Sequence, residues 1–221
     1  PGAVLAVETD HAAARAFVAA GGRGAVVTST GQHVGDPSLI GEVTAGALPC
    51  RSDAGVFAQA TRFGGAAILD EVLHAAQVKP GEHVLELFCG SGHLTAPLLA
   101  AGATLEAVEG DERAVRYCRE NAALLGAASR AEVRVAQIDG GLLVGRAPDV
   151  VVADPPRTGM VGLAQLAARL SPRHWVLVSC DPATGARDLA TLIALGRSLV
   201  SLVPVDAFPR TSHVEWVALL A

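Results

Sequence analysis

A cysteine and a glutamate near the end of the chain have the residue types that covalent catalysis requires. Cys180 stands in the segment Val178–Pro182, directly after a predicted strand and before a predicted helix. Because a helix N-terminus lowers the pKa of a thiol, we expect Cys180 to be nucleophilic, with Cys89 as its rival. Glu215 or His213, just before the last predicted strand, is positioned to act as a general base. Taken singly, each of these residues also fits a purely structural role.

A glycine-containing loop, Glu86–Gly92, follows the first strand of a regular strand–helix pattern. Gly90 and Gly92 allow the backbone to approach a ligand and to turn sharply into a helix. A dinucleotide-binding fingerprint has a third glycine where Thr95 stands, which weakens the pyrophosphate interpretation. The acidic Glu86 suits a cationic sulfonium better than a phosphate. The loop therefore predicts S-adenosylmethionine as cofactor, and a tight strand–helix turn without a ligand is the alternative.

Two further acids follow the next predicted strands. Glu109 ends the second strand, nineteen positions after Gly90, where a carboxylate can accept two hydrogen bonds from a ribose diol. Asp139, which we expect at the end of the third strand, can similarly receive the adenine amino group. Solvated acids at strand ends are the alternative for both residues.

The segment Asp154–Arg157, Asp-Pro-Pro-Arg, follows the fourth predicted strand. Carboxyl ends of parallel strands face the ligand crevice, so we expect Asp154 to point at the site. The two prolines stiffen the wall, which is also what a merely structural turn would need. Methyltransferases that act on exocyclic amines place an aromatic residue where Arg157 stands. Arg157 therefore argues against amine methylation.

Apolar strands alternate with helices from about residue 64 onwards. Because these strands are apolar throughout, both faces of their sheet must be covered, which predicts a doubly wound, mostly parallel sheet. The last two strands have no helix between them and should pair antiparallel, as in the Rossmann-like class I methyltransferase fold. The predicted strands lie near 83–88, 104–109, 132–138, 149–154, 174–179, 199–206 and 213–220, and the helices near 65–77, 93–101, 111–125, 160–169 and 182–195.

The N-terminal part of the chain has a different pattern, with predicted strands at 3–8 and 24–28 and a helix at 10–20. Residues 29–55 are rich in glycine, proline, serine and aspartate. We therefore expect two domains: a small α/β lobe over 1–55 and a methyltransferase domain over 56–221.

Composition narrows the functional class. The 221 residues are 51% hydrophobic and 18% charged, and no apolar run has the length of a membrane span. The four cysteines are scattered, so neither a metal site, an iron–sulfur cluster nor a disulfide scaffold is expected, and a reducing cytoplasm fits best. A net charge of -5 argues against strong nonspecific nucleic-acid binding but allows a local basic cleft.

Several motifs together resemble the bacterial RNA uracil-C5 methyltransferases, which make 5-methyluridine in transfer RNA or 23S ribosomal RNA. The resemblance covers about residues 45–221 clearly and 1–44 weakly. The motifs are Phe57–Gln59, Leu87–Gly92, Asp154–Arg157, Val178–Ala183 and Phe208–Glu215.

We expect an unstacked uridine in RNA as the substrate, because the thiol lies in a crevice, and a monomer as the acting form. This resemblance implies that Cys180 is the nucleophile and Glu215 the base of a uracil-C5 methylation. It further implies that Arg157 contacts the substrate and that Gln59 holds the uracil edge. The family usually has asparagine where His93 and Thr61 stand. The residues implied at the cofactor and uracil sites are Gln59, Phe88, His93, Glu109 and Asp154, which join Gly90, Gly92 and Asp139 of the loop and strand ends.

Two other functions remain open at the level of sequence. The acidic charge suits a methyltransferase for a small molecule or for another nucleobase position. A protein that binds cofactor or RNA without turnover is the non-enzymatic alternative, which the presence of both Cys180 and Glu215 disfavours.

Overall fold

The computed structural model describes residues 5–8, 24–27, 33–35, 40–45, 48–53, 56, 57, 59, 62–208, 210, 211 and 213–221. The predicted helix at 10–20 and the departure at Thr61 lie outside these residues. In the described N-terminal segments, the predicted strands near 3–8 and 24–28 are confirmed as β1 and β2, which pair in parallel.

Five short strands form two small sheets before the first described helix. β3 pairs antiparallel with β2, and β4 and β5 form an antiparallel hairpin. The strands are β1 (Leu5–Glu8), β2 (Gly24–Val27), β3 (His33–Gly35), β4 (Ile40–Ala45) and β5 (Leu48–Asp53).

A seven-stranded sheet follows, and its order is β11-β12-β10-β9-β6-β7-β8. The pairs among β10, β9, β6, β7 and β8 are parallel, whereas β12 is antiparallel to both β10 and β11. The predicted mostly parallel sheet with a C-terminal antiparallel hairpin is therefore confirmed. Its strands are β6 (His83–Leu87), β7 (Thr104–Glu109), β8 (Ala131–Val135), β9 (Val150–Ala153), β10 (His174–Ser179), β11 (Leu199–Val205) and β12 (Glu215–Leu220).

Helices cover both faces of this sheet, which is why its central strands are apolar on both sides. One buried cluster joins α1 and α2 to Val84, Val150 and Val176, and a second joins α4 and α5 to Leu85, Val151 and other residues of the opposite face. The helices are α1 (Arg62–Ala76), α2 (Thr95–Ala100), α3 (Glu112–Leu124), α4 (Leu163–Ala167) and α5 (Pro182–Ala194), with a short 3-10 turn over Ala128–Arg130. Among the described residues, no helix combines the length and the apolar character that crossing a bilayer requires.

Two predicted boundaries were wrong in ways that affect the site. β8 ends at Val135, so Asp139 lies in a turn four residues beyond the strand and not at its end. There the Gly141 backbone N–H donates to Asp139 Oδ1 at 2.7 Å. Helix α4 begins at Leu163 and not near 160, because Gly162 at its N-cap has a φ of 68° that a helix does not accommodate.

The order of the strands creates a crevice at their carboxyl ends. The chain runs from β6 outward to β7 and β8, and then returns to place β9 on the other side of β6. Loops that leave β6 and β9 therefore diverge to opposite faces of the sheet. Such a switch point is where open α/β sheets bind ligands.

Candidate active site

A cleft of about 480 Å³ lies at this switch point. It is bounded by the ends of β6, β7, β9 and β10 and by the start of β12. The structure brings eight of the predicted site residues to this cleft: Gln59, Phe88, Gly90, Glu109, Asp154, Arg157, Cys180 and Glu215. Val56, Asp111 and Ala114 also line it and were not predicted from the sequence. Only Asp111 carried a signal, as an aspartate directly before a helix, and its side chain caps α3 by accepting from the Arg113 backbone N–H.

Three predicted cofactor-binding residues are not among the cleft's described lining. Gly92 packs behind the loop, where a Cβ atom would lie 3.2 Å from Cys118 Sγ. His93 Nε2 lies 3.2 Å from the Gly65 carbonyl oxygen near the start of α1. Burial lowers the pKa of His93, which favours a neutral ring that donates this hydrogen bond. Asp139 accepts within its own turn, so contacts of these three residues with a cofactor stay predictions.

Glu109 shapes the glycine loop as well as lining the cleft. Its Oε2 accepts from the Gly90 N–H at 3.1 Å. Its Oε1 accepts from the N–H groups of Gly110 at 2.6 Å and Asp111 at 3.0 Å. One carboxylate therefore fixes the turns that follow both β6 and β7. Since each carboxylate oxygen has two lone pairs, further acceptor capacity remains for a ligand.

Glu86 does not offer a negative charge to the cleft, contrary to the interpretation of the loop. It is 1% exposed, and burial raises its pKa well above the ordinary range. The Thr95 hydroxyl donates to its Oε2 at 2.6 Å, while its Oε1 has no hydrogen-bond partner among the described residues. Burial without a neighbouring cation favours the neutral form of this carboxyl. Its hydrogen bond with Thr95 stabilises the start of the helix that follows the loop.

The surroundings of Cys89 disfavour it as the nucleophile. It is 5% exposed and packs with Cys118 in a small cluster behind the loop. A hydrogen bond with Cys118 and burial raise the pKa of the Cys89 thiol well above its usual value. Both effects disfavour the thiolate that nucleophilic attack needs.

Cys180 lines the cleft, but the expected effect of the helix N-terminus is not what governs it. Burial, and then the negative charge of Glu215, raise the pKa of its thiol. The N-terminus of α5 is instead capped by Asp181, whose Oδ1 accepts from the N–H groups of Ala183 at 3.0 Å and Thr184 at 2.9 Å. The Asp181 carboxylate, and not the Cys180 thiol, therefore accepts hydrogen bonds from the free N–H groups at the positive end of the helix.

Arg157 supplies the opposing influence at the thiol. A hydrogen bond from its side chain and its positive charge both act to lower the pKa of Cys180. The same charge acts to lower the pKa of Glu215, which burial otherwise raises. Arg157 therefore favours the charged form of both reactive groups. It is the single cation among the described residues that line the cleft.

Glu215 and Asp154 form the acidic side of the cleft. Glu215 is 5% exposed. Burial, followed by the charge of Glu215, raises the pKa of Asp154 to about 7. Gln59 Nε2 donates to Asp154 Oδ2 at 3.4 Å, which places the amide beside this acid. His213 is exposed and stacks edge-to-face with Phe208 at 6.0 Å, outside the lining, so Glu215 is the base candidate that the geometry favours.

The register between β10 and β12 positions the two candidate catalytic side chains. Ser179 pairs with Trp216 in this antiparallel ladder, so the residue after Ser179 and the residue before Trp216 meet at the same end. These are Cys180 and Glu215. Helix α5 packs closely on the adjacent pair, Ser179 and Trp216, because a Cβ atom on Gly185 would lie 2.7 Å from Ser179 Oγ and would overlap the Trp216 ring. A glycine is needed there for this approach.

The sequence model of the methyltransferase small domain family matches residues 47–170. The chain is 38% identical over 179 residues to the 23S rRNA (uracil(1939)-C(5))-methyltransferase RlmD of Acidithiobacillus ferrooxidans, covering 78% of this chain and 40% of that protein. It is 41% identical over 147 residues to the RlmD protein of Halomonas elongata, covering 65% and 30%. The chain therefore spans well under half the length of these relatives.

Solved structures share the fold. The Pyrococcus abyssi tRNA (uracil-54, C5)-methyltransferase, in complex with S-adenosyl-L-homocysteine, superposes with a TM-score of 0.73 at 24% identity, covering 90% of this chain and 50% of that one. A S-adenosylmethionine-dependent methyltransferase from Thiobacillus denitrificans superposes with a TM-score of 0.55 at 16% identity, covering 70% of this chain and 90% of that one.

Proposed function

Because the chain belongs to the methyltransferase small domain family, we propose that it transfers a methyl group from S-adenosylmethionine to C5 of a uracil in RNA. The observation that carries this proposal is the pairing of Cys180 with Glu215. The β10–β12 register sets a thiol and a carboxylate together at the mouth of one cleft. A nucleophile beside a base is what methylation of an unreactive ring carbon requires.

The crevice suits the proposed cofactor. Gly90 has a φ of 53°, and nothing lies within 4 Å of where its Cβ would be, so a ligand can approach the backbone closely. Phe88 also has a positive φ, 62°, which is an unusual conformation for a non-glycine residue and is typical of functional sites. Glu109 adds acceptor capacity for a ribose diol. When bound, S-adenosylmethionine supplies an electrophilic methyl group that the activated uracil C5 takes up.

The residues of the chain perform the remaining steps. The Cys180 thiolate adds to C6 of the uracil, which places the displaced electron pair on the C4 carbonyl as an enolate and makes C5 nucleophilic. After methylation, Glu215 removes the proton from C5, the C5–C6 double bond re-forms, and the thiolate leaves with its electron pair. Arg157 assists both steps, since its charge favours the thiolate and the carboxylate.

Gln59 and Asp154 are proposed to orient the uracil ring. An amide and a partly protonated carboxyl can together match the donor and acceptor atoms on a uracil edge. Their contact at 3.4 Å supports this assignment, because the two groups lie side by side in the cleft. A uridine can reach this cleft only when it is unstacked, so a loop or flipped-out nucleotide is the expected substrate. The relatives named for 23S rRNA and tRNA support RNA as the class of substrate.

The decisive experiment traps the covalent adduct. With unmodified RNA and S-adenosylmethionine, Glu215→Gln should accumulate an RNA–protein adduct, because the C5 proton can no longer be removed. The adduct should be absent from the Glu215→Gln, Cys180→Ala double variant and from Glu132→Gln, an exposed acid on β8. Nucleoside analysis of wild-type products should show 5-methyluridine. Full methylation by Cys180→Ala, or a methyl group on another base or on a small molecule only, would contradict the proposal.

A further inference from the structure

The segment that carries Arg157 is held on helix α5 by three successive contacts. The Met160 backbone N–H donates to Asp188 Oδ2 at 2.8 Å. Arg187 Nη2 donates to the Thr158 carbonyl oxygen at 2.9 Å. The Thr184 hydroxyl lies 2.9 Å from the Arg157 carbonyl oxygen, to which it can donate. The main chain from residue 157 to residue 160 is therefore aligned along one side of α5.

Asp188 is the buried centre of this contact. It is 2% exposed, unlike most aspartates, which lie at the surface. Its Oδ1 accepts from Arg187 Nε at 3.2 Å and Nη2 at 3.0 Å, which leaves Oδ2 for the Met160 N–H. A Cβ atom on Gly159 would lie 2.6 Å from Oδ2, so the main chain rests directly on the carboxylate. Such a close approach leaves the segment little freedom to shift.

Helix α5 also begins next to Cys180, since its first residue is Pro182. Both members of the Arg157–Cys180 pair are thus anchored to the same rigid element. Cys180 is anchored by the chain, which leads directly into α5. Arg157 is anchored by the hydrogen bonds between α5 and the segment 157–160. A displacement of that segment would separate the guanidinium from the thiol without touching either group.

We propose that Asp188 is a positioning residue, which holds the segment 157–160 on α5 and thereby keeps the Arg157 guanidinium beside the Cys180 thiol. The inference builds on the proposed function, in which Cys180 is the nucleophile. The described lining of the cleft holds no second cation that could favour the thiolate in place of Arg157. The other charged groups that face Cys180 are Glu215 at the start of β12 and Asp154 at the end of β9, and both are acids that disfavour a thiolate.

The test measures the reactivity of Cys180 and needs neither RNA nor cofactor. Wild type and variants are treated with iodoacetamide across a pH series, and alkylation of the Cys180 peptide is followed by mass spectrometry. Asp188→Ala should slow this alkylation about tenfold at neutral pH, as expected when a thiolate loses one charge-assisted hydrogen bond. Asp188→Asn should recover most of the rate, because the amide oxygen can still accept from the Met160 N–H. Asp70→Asn, an exposed acid on α1, is the matched control.

A double variant separates positioning from general loosening. Arg157→Gln alone should slow alkylation to a similar degree, and Arg157→Gln combined with Asp188→Ala should slow it no further, because Asp188 acts through Arg157. Additive slowing in the double variant would overturn the inference. So would a folded Asp188→Ala protein whose Cys180 reacts at the wild-type rate.

If Asp188→Ala does not fold, the partly exposed Thr184 provides a milder variant, because its hydroxyl also holds the segment 157–160 on α5. Thr184→Val should slow alkylation and Thr184→Ser should restore it, and equal rates in both would overturn the inference. Because the readout is alkylation alone, a failure of uracil methylation would leave its outcome unaffected. The two proposals can therefore fail separately.

Discussion

The carboxylate of Glu109 holds the backbone N–H of Gly90 at 3.1 Å, so an acid at the end of β7 sets the conformation of the loop that leaves β6. The same side chain accepts two further backbone N–H groups in its own turn. Glu109 thus shapes the loop, and the proposed function assigns it a contact with the cofactor as well. A substitution at Glu109 should affect cofactor binding both by losing an acceptor and by loosening the loop.

Glu109→Ala should weaken binding of S-adenosylmethionine by roughly 10- to 100-fold, the loss expected for charge-assisted hydrogen bonds in a ligand site. Isothermal titration calorimetry measures this directly. Glu132→Ala, which removes an exposed acid from the neighbouring strand β8, should leave the affinity unchanged. An equal affinity for wild type and Glu109→Ala would remove Glu109 from the cofactor site.

Asp154 should make the folded protein less stable as pH rises. Its pKa increases from 3.8 to about 7 on folding, so its stabilising contribution is full below pH 3.8 and is lost as pH rises through 7. Asp154→Asn removes this dependence. The variant should therefore gain about 2 kcal/mol relative to wild type between pH 4 and pH 8, after allowance for partial exposure of the group.

Urea denaturation at several pH values measures this difference. Glu120→Gln, an exposed acid on α3, controls for the general loss of one negative charge. A stability difference between wild type and Asp154→Asn that is constant with pH would show that Asp154 does not titrate with a raised pKa. Glu215, whose pKa burial also raises, should contribute a pH dependence of the same sign.

Asn121 joins the β4–β5 hairpin to the glycine loop. Its side chain is 1% exposed, accepts from the Arg51 N–H at 2.7 Å and donates to the Arg51 carbonyl at 2.9 Å and the Ser91 carbonyl at 2.8 Å. Asn121→Ala should cost about 2–4 kcal/mol of unfolding free energy, since buried backbone groups lose their partners. Denaturant unfolding followed by circular dichroism tests this. Asn121→Asp should cost at least as much, because a buried carboxylate oxygen would face the Arg51 and Ser91 carbonyl oxygens to which the amide now donates. A loss below about 0.5 kcal/mol would indicate that water replaces the amide.

Gly185→Ala should disturb the contact between α5 and the strands that carry Cys180 and Glu215. The added methyl group would overlap the Trp216 ring and Ser179 Oγ, and overpacking of this kind costs about 1–3 kcal/mol. We expect a lower melting temperature together with slower adduct formation. Ala186→Ser changes an exposed position on the same helix and should leave both properties unchanged. Wild-type activity in Gly185→Ala would mean that the pair tolerates displacement of α5.

Part of the site was predictable because its residues follow the ends of successive apolar strands. Phe88, Asp154 and Cys180 each come directly after such a strand and Glu109 ends one, and parallel strands bring their carboxyl ends to one edge. The prediction that Asp139 follows the third strand directly was wrong because β8 ends at Val135, and no change in hydrophobicity marks that end. Boundaries of this kind depend on pairing with β7, which a single sequence does not display.

The burial and the charge state of the site residues could not be predicted from the sequence. Glu86 and Cys180 lie within motifs that suggest a carboxylate anion and a thiolate. Burial, followed by neighbouring acidic groups, raises the pKa of both side chains. Asp181 and not Cys180 caps the N-terminus of α5, and burial outweighs the lowering of the Cys180 pKa that the sequence predicted. Asp188, five residues beyond the motif Val178–Ala183, became a positioning candidate only through its contact with Met160.

The amino-acid sequence by itself determined the doubly wound sheet, the glycine loop and the residue types available for catalysis, because hydrophobic periodicity and short motifs are local properties of the chain. The tertiary structure alone decided which side chains meet and in what state of charge. Cys180, Arg157 and Glu215 come from three separate segments, and the antiparallel register of β12 and the packing of α5 bring them together. Their protonation follows from that enclosure, since desolvation and distance exist only in the folded chain.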